Sequence, residues 1–211
     1  MAGIFTIESI LVFVLCYIIG SFPTAYLLVK AASGKDVTRE GSGNVGTLNS
    51  FQVSKSKWVG VLVLLTDLFK GLLPVYIMLY TMNMPYPTAM LGACALILGH
   101  NYPVWLKFKG GRGLATGAGI FMIVNYYILA GWLVVWAAVF AFKRDVLVAN
   151  TAATFSLPLI VVLINFLPWM VVGGGLNGFT VTYFTVFSLV ITLIILLRHT
   201  EVFKKAEKKV S

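Results

Sequence analysis

Charged residues are scarce in this chain, and acidic residues are the scarcest of them. Only 11% of the 211 residues are charged, with 7 Asp and Glu against 16 Lys and Arg, whereas 59% are hydrophobic. A mean hydropathy of +0.93 excludes an ordinary soluble domain. We therefore predict an all-α integral membrane protein. The net charge of +9 then records topology and affinity for anionic lipid, and no nucleic-acid partner is expected.

Several motifs that would point to other chemistry do not occur in the sequence. Cys16 and Cys94 are its two cysteines, and they have no metal-ligand spacing. The pattern G-x-x-x-x-G-K-[ST] is missing, which disfavours nucleotide hydrolysis. The first residues contain Glu8 and no basic segment, so we expect a retained membrane span rather than a cleaved signal peptide. Neither a metal nor a cofactor is predicted.

Long apolar stretches occupy most of the chain. About 20 apolar residues are needed to cross a bilayer, and seven stretches are candidates. They lie near 4–30, 58–80, 87–106, 113–125, 127–142, 146–169 and 178–198. The fourth and fifth are the shortest and are separated only by IVNYY. We therefore predict seven transmembrane helices that form a single polytopic membrane domain over residues 1–211.

The basic residues collect in alternate loops. They lie near residues 31–57, 106–113 and 143–146 and in the tail 198–211, whereas the opposite loops carry none. Lys and Arg of short loops are retained on the cytoplasmic side of a membrane. This pattern predicts that the N-terminus is outside, that the C-terminus is cytoplasmic, and that the basic loops share the cytoplasmic face.

The first polar cluster runs from Gly20 to Ser50; its core is GSGNVG at residues 41–46, with Arg39 two residues before it. Its glycines suit a tight turn that exposes several backbone N–H groups to an anion. An arginine beside such a turn can hold phosphate or carboxylate bidentately. A flexible connector with an arginine retained for topology explains the pattern equally well.

The second cluster is DLFKG, which places Asp67 and Lys70 three residues apart inside a predicted span. Ionisable residues in hydrocarbon are costly and suggest a function. The alternative is a pair that merely neutralises itself. We expect the pair to face a polar cavity or the loops and to orient them without touching substrate.

The third cluster, GHNYPVWLKFKGGRGLATGAG, contains His100, three cations and a run of glycines. If a helix begins near Gly111, its free N–H groups and positive dipole end would bind an anion beside Lys109 and Arg112. A basic loop with glycines for helix packing is the alternative. The fourth cluster is the end of the last span, where His199 could point inward.

These stretches, in the same order along the chain, resemble the bacterial integral-membrane acyl-phosphate glycerol-3-phosphate acyltransferases. GSFPTAYLLVK is similar to the family's G-S-x-P-x-G-Y, and REGSGNVGTLN to its R-x-x-G-S-G-N-x-G-A-T-N. LTDLFKGLLP is similar to its D-x-x-K-G, the third cluster to its G-H-x-x-P-V-F-L-x-F-K-G-G-K-G-V-A-T, and LLRHTEVFKK to its R-H-x-x-N.

The resemblance implies transfer of a fatty acyl group from acyl phosphate to the 1-hydroxyl of glycerol 3-phosphate, in phospholipid biosynthesis at a bacterial cell membrane. The products are lysophosphatidic acid and phosphate. Acyl phosphate is already activated, so no dedicated nucleophile is required, and the sequence has no Ser-His-Asp pattern. Positioning and electrostatic stabilisation could then supply the catalysis, without a cofactor.

The resemblance also implies which residues form the site. The phosphate-binding residues would be Ser21, Arg39, Ser42, Gly43, Asn44, Asn49, Lys109, Gly110, Gly111, Arg112 and Gly113. The catalytic residues would be Arg39, Ser42, His100 and His199, with Asp67 and Lys70 supporting them. The base could be either histidine or a phosphate oxygen of the substrate.

The chain departs from the family pattern at several positions. Arg112 replaces a lysine, and Leu147 and Asn150 stand where the family has serines. These departures leave open a diverged paralogue with a changed acceptor. A transporter of a phosphorylated anion is a further alternative, but a transporter should have its site near mid-membrane with related halves. Here the polar clusters lie at one predicted face.

Overall fold

The computed structural model describes residues 6–167 and 178–210, with side chains over 6–167 and 182–199. All the regular structure in these ranges is helical, which confirms the all-α prediction. The α-helices are α1 Ile7–Ser21, α2 Thr24–Ser33, α3 Thr47–Ser54, α4 Lys57–Tyr76, α5 Tyr86–Asn101, α6 Leu114–Val124, α7 Tyr126–Lys143, α8 Val146–Asn165 and α9 Gly178–Val210. A π-helical segment, Ile77–Thr81, extends α4, and a 3-10 turn, Val104–Leu106, follows α5.

Six helical segments in the described residues are long and apolar enough to cross a membrane. They are Ile7–Ser33, Lys57–Thr81, Tyr86–Leu106, Tyr126–Lys143, Val146–Asn165 and Thr182–His199, and each corresponds to a predicted span. The remaining predicted span, 113–125, is α6, a helix of 11 residues. At 1.5 Å per residue α6 is about 16 Å long, roughly half of a hydrocarbon core. The seventh span and the orientation of the termini stay predictions.

The chain forms two compact units, Met1–Ile120 and Phe121–Ser211. The single domain over residues 1–211 stays a prediction. Residues 4 and 5 of the predicted span 4–30, and residues 168 and 169 of the predicted span 146–169, lie outside the described part. The predicted span 4–30 is divided between α1 and α2 at Phe22 and Pro23. Proline has no N–H group and disfavours a helical residue before it, so the first helix ends here.

Glycines let the helices of the first unit pack at backbone distance. A methyl group on Gly20 of α1 would collide with the carbonyl oxygen of Leu96 in α5, and one on Gly99 of α5 would collide with that of Tyr17. Gly71 of α4 packs in the same way against the Thr116 carbonyl of α6. Small residues at such contacts are typical of helix packing in membranes. The α1–α5 and α4–α6 contacts are therefore closed to any larger side chain.

The loop between α2 and α3 rests on its own apolar core. Seven buried residues form it: Ala25, Val29, Val37, Val45, Val53, Val59 and Val63. They come from α2, the loop itself, α3 and α4. Val37 and Val45 lie within the loop and are 0% and 5% exposed. Burial of these two side chains fixes the loop at both ends of its Arg39–Asn44 segment.

Side-chain caps and hydrogen bonds organise the second unit. Asn125 caps α7 by accepting from the N–H groups of the next turn, and Asp145 caps α8 in the same way. Between α7 and α8, the Nε1 of Trp136 donates to the Oδ1 of Asn150 over 2.7 Å. Asn150 stands at one of the positions where the resembled family has serine, and its amide oxygen is engaged by tryptophan.

Candidate functional site

Asp36 organises the part of the first loop that carries Arg39. Its Oδ1 accepts from the backbone N–H and the hydroxyl of Thr38, over 2.9 and 2.7 Å. Its Oδ2 lies 3.5 Å from the Nε of Arg39, whose side chain is 84% exposed. The Thr38 hydroxyl is the main cause that lowers the pKa of Asp36, and Arg39 lowers it further. Arg39 is thus tethered at its Nε side and open to solvent.

Asn49 holds this loop from beneath. It is 2% exposed, and its Oδ1 accepts from the backbone N–H of Ser42 over 2.9 Å. Its Nδ2 donates to the carbonyl oxygens of Val37 and Glu40, each over 3.1 Å. A methyl group on Gly41, where φ is +58°, would collide with the same Oδ1. The amide is occupied by the loop, which argues against the predicted direct contact between Asn49 and phosphate.

The backbone N–H groups of the GSGNVG turn are largely used within the protein. Gly41 and Gly43 have φ of +58° and +70°, so the turn is as tight as predicted. Four N–H groups already donate: those of Ser42, Gly43, Asn44 and Val45 donate to Asn49 Oδ1, Glu40 O, Ser42 Oγ and Gly110 O. The expectation that these N–H groups are exposed to an anion is therefore wrong. Contact of an anion with the side chains of Ser42, which is exposed, and Asn44, which is half-buried, stays a prediction.

The second loop runs from the end of α5 to the start of α6. Lys107 and Phe108 have φ of 51° and 61°, and Gly113 has φ of 79°. The left-handed conformation of Gly113 cannot continue a helix, so α6 begins at Leu114 and the condition of a helix start near Gly111 is not met. Lys109 is exposed and Arg112 is half-buried.

The glycines of the second loop lie against the last turn of α5. The N–H of Gly111 donates to the carbonyl oxygen of His100 over 3.1 Å. A methyl group on Gly111 would collide with the Nε2 of His100, and one on Gly110 with its carbonyl oxygen. One on Gly113 would lie 2.8 Å from the Oδ1 of Asn101. These glycines are required for close packing on α5, in addition to any role toward a ligand.

The backbones of the two loops meet at Val45 and Gly110. The N–H of Val45 donates to the carbonyl oxygen of Gly110 over 3.4 Å. Beside this contact lies a cleft that encloses about 220 Å³, including its open mouth. Its polar lining comes from Ser21, Thr24, Asp67, Lys70 and His100. The structure therefore brings together the first three polar clusters of the sequence.

Asp67 and Lys70 face this cleft. The Oδ1 of Asp67 accepts from the Nζ of Lys70 over 3.0 Å and lies 3.6 Å from the Nδ1 of His100. The same Nζ donates to the carbonyl oxygen of Phe22 over 2.6 Å. Asp67 is 2% exposed and His100 is 8% exposed. The pair thus contacts both the break between α1 and α2 and the end of α5, and its role in orienting the loops stays a prediction.

Ser21 lines the cleft but its hydroxyl is engaged within the protein. Its Oγ donates to the carbonyl oxygen of Ile18 over 2.9 Å and accepts from the Nε1 of Trp105 over 3.0 Å. Sequence reasoning did not identify Trp105, which belongs to the 3-10 turn of the second loop. The signal was present, because the resembled pattern has phenylalanine at this position, and phenylalanine has no N–H group. Direct contact between Ser21 and phosphate is correspondingly less favoured.

His199 belongs to the second unit and is fully buried there, at 0% exposure. Its Nδ1 lies 3.0 Å from the carbonyl oxygen of Ile195, one turn earlier in α9. Its predicted convergence with the residues of the first unit stays a prediction. Among the residues described, no group of three or more His, Cys, Asp or Glu side chains is arranged to hold a metal ion.

Comparison with known proteins points in one direction. A family model described as glycerol-3-phosphate acyltransferase matches residues 10–209. The glycerol-3-phosphate acyltransferase of Endomicrobium trichonymphae is 34% identical over 191 residues, which cover 90% of this chain and 88% of that protein. Glycerol-3-phosphate acyltransferase 1 of Dehalococcoides mccartyi is 38% identical over 150 residues, which cover 69% of this chain and 72% of that protein.

Solved structures agree with the sequence matches. The crystal structure of PlsY, an integral membrane glycerol 3-phosphate acyltransferase, in its glycerol 3-phosphate form has a TM-score of 0.77 to this chain at 29% identity. The match covers 95% of this chain and 92% of that one. The lysophosphatidic acid form of PlsY has a TM-score of 0.74 at 28% identity, with the same coverage.

Proposed function

The chain belongs to the glycerol-3-phosphate acyltransferase family, and from this premise we propose that its acyl donor is a fatty acyl phosphate. It is a multi-pass membrane acyltransferase that acts on glycerol 3-phosphate. The acyl group passes to the 1-hydroxyl, and the products are lysophosphatidic acid and inorganic phosphate. We assign the reaction to the cytoplasmic face of a bacterial cell membrane, because the basic loops collect at one predicted face.

The hydrogen bond between Val45 and Gly110 is the observation that carries this proposal. It joins the loop of Arg39 to the loop of Lys109 and Arg112. Both proposed substrates carry phosphate, and the acyl carbon must come within about 3–3.5 Å of the attacking hydroxyl. Loops that are joined at their backbones can hold the two phosphates near one another, whereas separate loops could not.

The reaction is a direct acyl transfer. The 1-hydroxyl oxygen of glycerol 3-phosphate attacks the acyl carbon of the donor and forms the new ester bond. The bond between the acyl carbon and the phosphate oxygen breaks, and phosphate leaves with its electron pair. Cations beside the leaving phosphate and the carbonyl oxygen stabilise the negative charge that develops there. No covalent enzyme intermediate is needed, because the donor is already activated.

We assign the substrate contacts to exposed and half-buried side chains of the two loops. Arg39, with Ser42 and Asn44, holds one phosphate, and Lys109 and Arg112 hold the other. Gly43, Gly110, Gly111 and Gly113 shape the loops that present these groups. Ser21 and Asn49 support the site without contacting the substrate, because their polar atoms form hydrogen bonds with Trp105 and with the first loop.

The hydroxyl proton has two acceptors in this proposal, His199 and a phosphate oxygen of the substrate. A neutral His199 ring that donates from Nδ1 to the carbonyl of Ile195 carries its lone pair on Nε2, the form that a base requires. The variant His199→Gln distinguishes the two acceptors. A loss of kcat near 100-fold with unchanged KM values supports the histidine, since general bases contribute about 10²–10⁴-fold.

Phosphate release from palmitoyl phosphate by purified protein in lipid tests the proposal. Release that depends on glycerol 3-phosphate is expected, and palmitoyl-CoA should not replace the donor. Arg39→Ala and Arg112→Ala should each lower kcat/KM at least tenfold, because a hydrogen bond to a charged group contributes about 1.5–3 kcal/mol. Lys35→Ala, which removes an exposed cation from the same loop as Arg39, is the matched control.

Two results would contradict the proposal in different ways. If the wild type releases no phosphate from palmitoyl phosphate but uses palmitoyl-CoA, the donor is wrong. If release is robust and the two arginine variants match Lys35→Ala, the reaction stands and the assignment of the phosphate sites is wrong. Arg112→Lys restores the residue of the family pattern and should keep more activity than Arg112→Ala.

A further inference from the structure

Asp67 is a carboxylate inside a membrane-spanning helix, where a charge needs a partner. Its partner is Lys70, three residues later on the same face of α4, and the side chains of the two are 4% and 11% exposed. A pair that served only to neutralise itself would need no contact outside α4. Both residues make such contacts, Lys70 with Phe22 and Asp67 with His100, and all four residues line the cleft.

Lys70 ties α4 to the break between α1 and α2. Its Nζ donates to the carbonyl oxygen of Phe22, which lies between the two helices and also accepts from the N–H of Thr24. The 2.6 Å distance is short for such a bond, and a bond from a charged donor is stronger than a neutral one. The position of the broken helix is therefore linked to the charge on α4.

Asp67 aligns the ring of His100 at the end of α5. The 3.6 Å between its Oδ1 and the Nδ1 of His100 is longer than a hydrogen bond. At this distance in a poorly solvated interior, the carboxylate attracts the Nδ1 edge of the ring electrostatically when Nδ1 carries a proton. Because both side chains are buried, the ring cannot turn away without displacing its neighbours.

The opposite edge of the His100 ring supports the second loop. Its Nε2 fills the space in which a side chain at position 111 would lie, and its carbonyl oxygen accepts from the N–H of Gly111. The adjacent Gly110 accepts the hydrogen bond from Val45 that joins the two loops. A continuous set of contacts thus runs from Asp67 through His100 to both loops.

We infer that Asp67 and Lys70 are positioning residues that fix the glycine loop Lys109–Gly113 through His100, and that His100 acts as their spacer rather than as the base. The inference rests on the proposed function, in which this loop holds a substrate phosphate. A shift of about 1 Å in a group that positions substrate can cost roughly 100-fold in rate. The pair therefore contributes to catalysis without contacting the substrate.

The double variant Asp67→Leu/Lys70→Met separates positioning from self-neutralisation. Replacing both members of a buried ion pair by apolar groups of similar shape is often neutral or stabilising, so this protein should fold. If the pair only neutralises itself, kcat/KM should stay within twofold of the wild type. Positioning predicts a fall of at least about 30-fold, with raised KM values for both phosphate substrates, at an unchanged unfolding temperature.

Glu8→Gln is the matched control, since it also exchanges a carboxylate of the first unit for a neutral side chain, but at an exposed site at the start of α1. It should leave kcat and both KM values unchanged. Lys70→Arg is the conservative variant and should recover most of the activity lost in Lys70→Met, because it retains a cation that can reach both Asp67 and the Phe22 carbonyl.

A second measurement does not depend on the reaction. Trypsin cleavage after Lys107 and Lys109 reports how well the loop is held, and cleavage after Lys143, an exposed lysine of the second unit, is the internal reference. The double variant should be cleaved at the loop several times faster, with the reference rate unchanged. Equal loop cleavage in the double variant and the wild type would overturn the inference. An inactive wild type with faster loop cleavage in the variant would overturn the proposed function alone.

Discussion

The N–H of Val45 and the carbonyl oxygen of Gly110 are 3.4 Å apart, and their contact is the point at which two distant loops of the chain meet. A hydrogen bond of this length is weak. What holds the loops together is the packing around it: Val45 is 5% exposed, and Gly110 lies directly on the backbone of His100. Predictions about the site therefore concern packing as much as hydrogen bonding.

The packing of α1 on α5 can be tested at Gly99. A methyl group there would meet the backbone of Tyr17 and Ser21, which cannot move aside separately. Gly99→Ala should lower stability by about 1–3 kcal/mol, the usual cost of overpacking. Gly131→Ala is the matched change, because its methyl group would lie 3.0 Å from the side chain of Ile160, which can rotate. Thermal unfolding in detergent measures both; equal midpoints would contradict the prediction.

Asn49 should be essential to the shape of the first loop. Asn49→Ala removes three hydrogen bonds to the loop, each of which contributes about 0.5–1.5 kcal/mol. We expect faster hydrogen exchange at Ser42 and a raised KM for the phosphate substrates. Ser54→Ala is the control: it removes two bonds at the end of the same helix, one from its hydroxyl to the Ser50 carbonyl and one from the Ser56 N–H to its Oγ. Unchanged exchange at Ser42 in Asn49→Ala would show that the loop is held by other contacts.

The stability of the first loop should depend on the ionisation of Asp36. The pKa of Asp36 is lowered from its ordinary value of 3.8, chiefly by the hydroxyl of Thr38. The ionised carboxylate thus stabilises the folded loop; this contribution is complete above pH 3.8 and is lost as pH falls through the lowered pKa.

Thr38→Val, which deletes the hydroxyl at constant shape, should move the Asp36 pKa back toward 3.8. Titration of the carboxyl carbon by NMR measures the change. Thr66→Val, on α4, is the control and should leave the Asp36 titration where it is in the wild type. If the pKa of Asp36 is the same in Thr38→Val as in the wild type, another group lowers it.

The pair Trp136 and Asn150 should be coupled in stability. Trp136→Phe removes the donor from the 2.7 Å hydrogen bond and leaves a part-buried amide oxygen, at a cost of about 1–3 kcal/mol. Trp136→Phe/Asn150→Leu removes both polar groups and should recover part of that loss. Thermal unfolding of the two single variants and the double variant tests this coupling. If the stability losses of Trp136→Phe and Asn150→Leu add up to the loss in the double variant, the hydrogen bond does not couple the two residues.

The sequence was informative about chemistry and less so about which polar groups are already occupied. The glycines of both loops and the Asp67–Lys70 spacing could be recognised, because each has a local physical signature. Pro23 has such a signature too, but the predicted span 4–30 ran through it. The hydrogen bond from Trp105 to Ser21 could not be recognised from the sequence, because it joins side chains from α1 and from the turn after α5. Local pattern identifies a donor or an acceptor, but only the tertiary structure determines its partner.

The same limit explains the errors in the two loops. The alternation of glycines in GSGNVG correctly indicated a tight turn, but a tight turn also brings its N–H groups near the acceptors of its own chain. Asn49 lies in α3, after the turn, and takes one of them. Similarly, the anion interpretation of the second loop depended on a helix start near Gly111. Gly111 fits against His100 instead, and α6 begins at Leu114, after the left-handed Gly113.

The glycine contacts of the first unit also limit the paths that a lipid tail can take. Where α1 and α5 approach so closely that a methyl group on Gly20 or Gly99 does not fit, a chain of methylene groups cannot pass between them. The same holds between α4 and α6 at Gly71 and Gly119. An alkyl chain therefore cannot pass between α1 and α5 or between α4 and α6 at these glycines. The acyl chain of a substrate bound at the proposed site must reach the bilayer by another route.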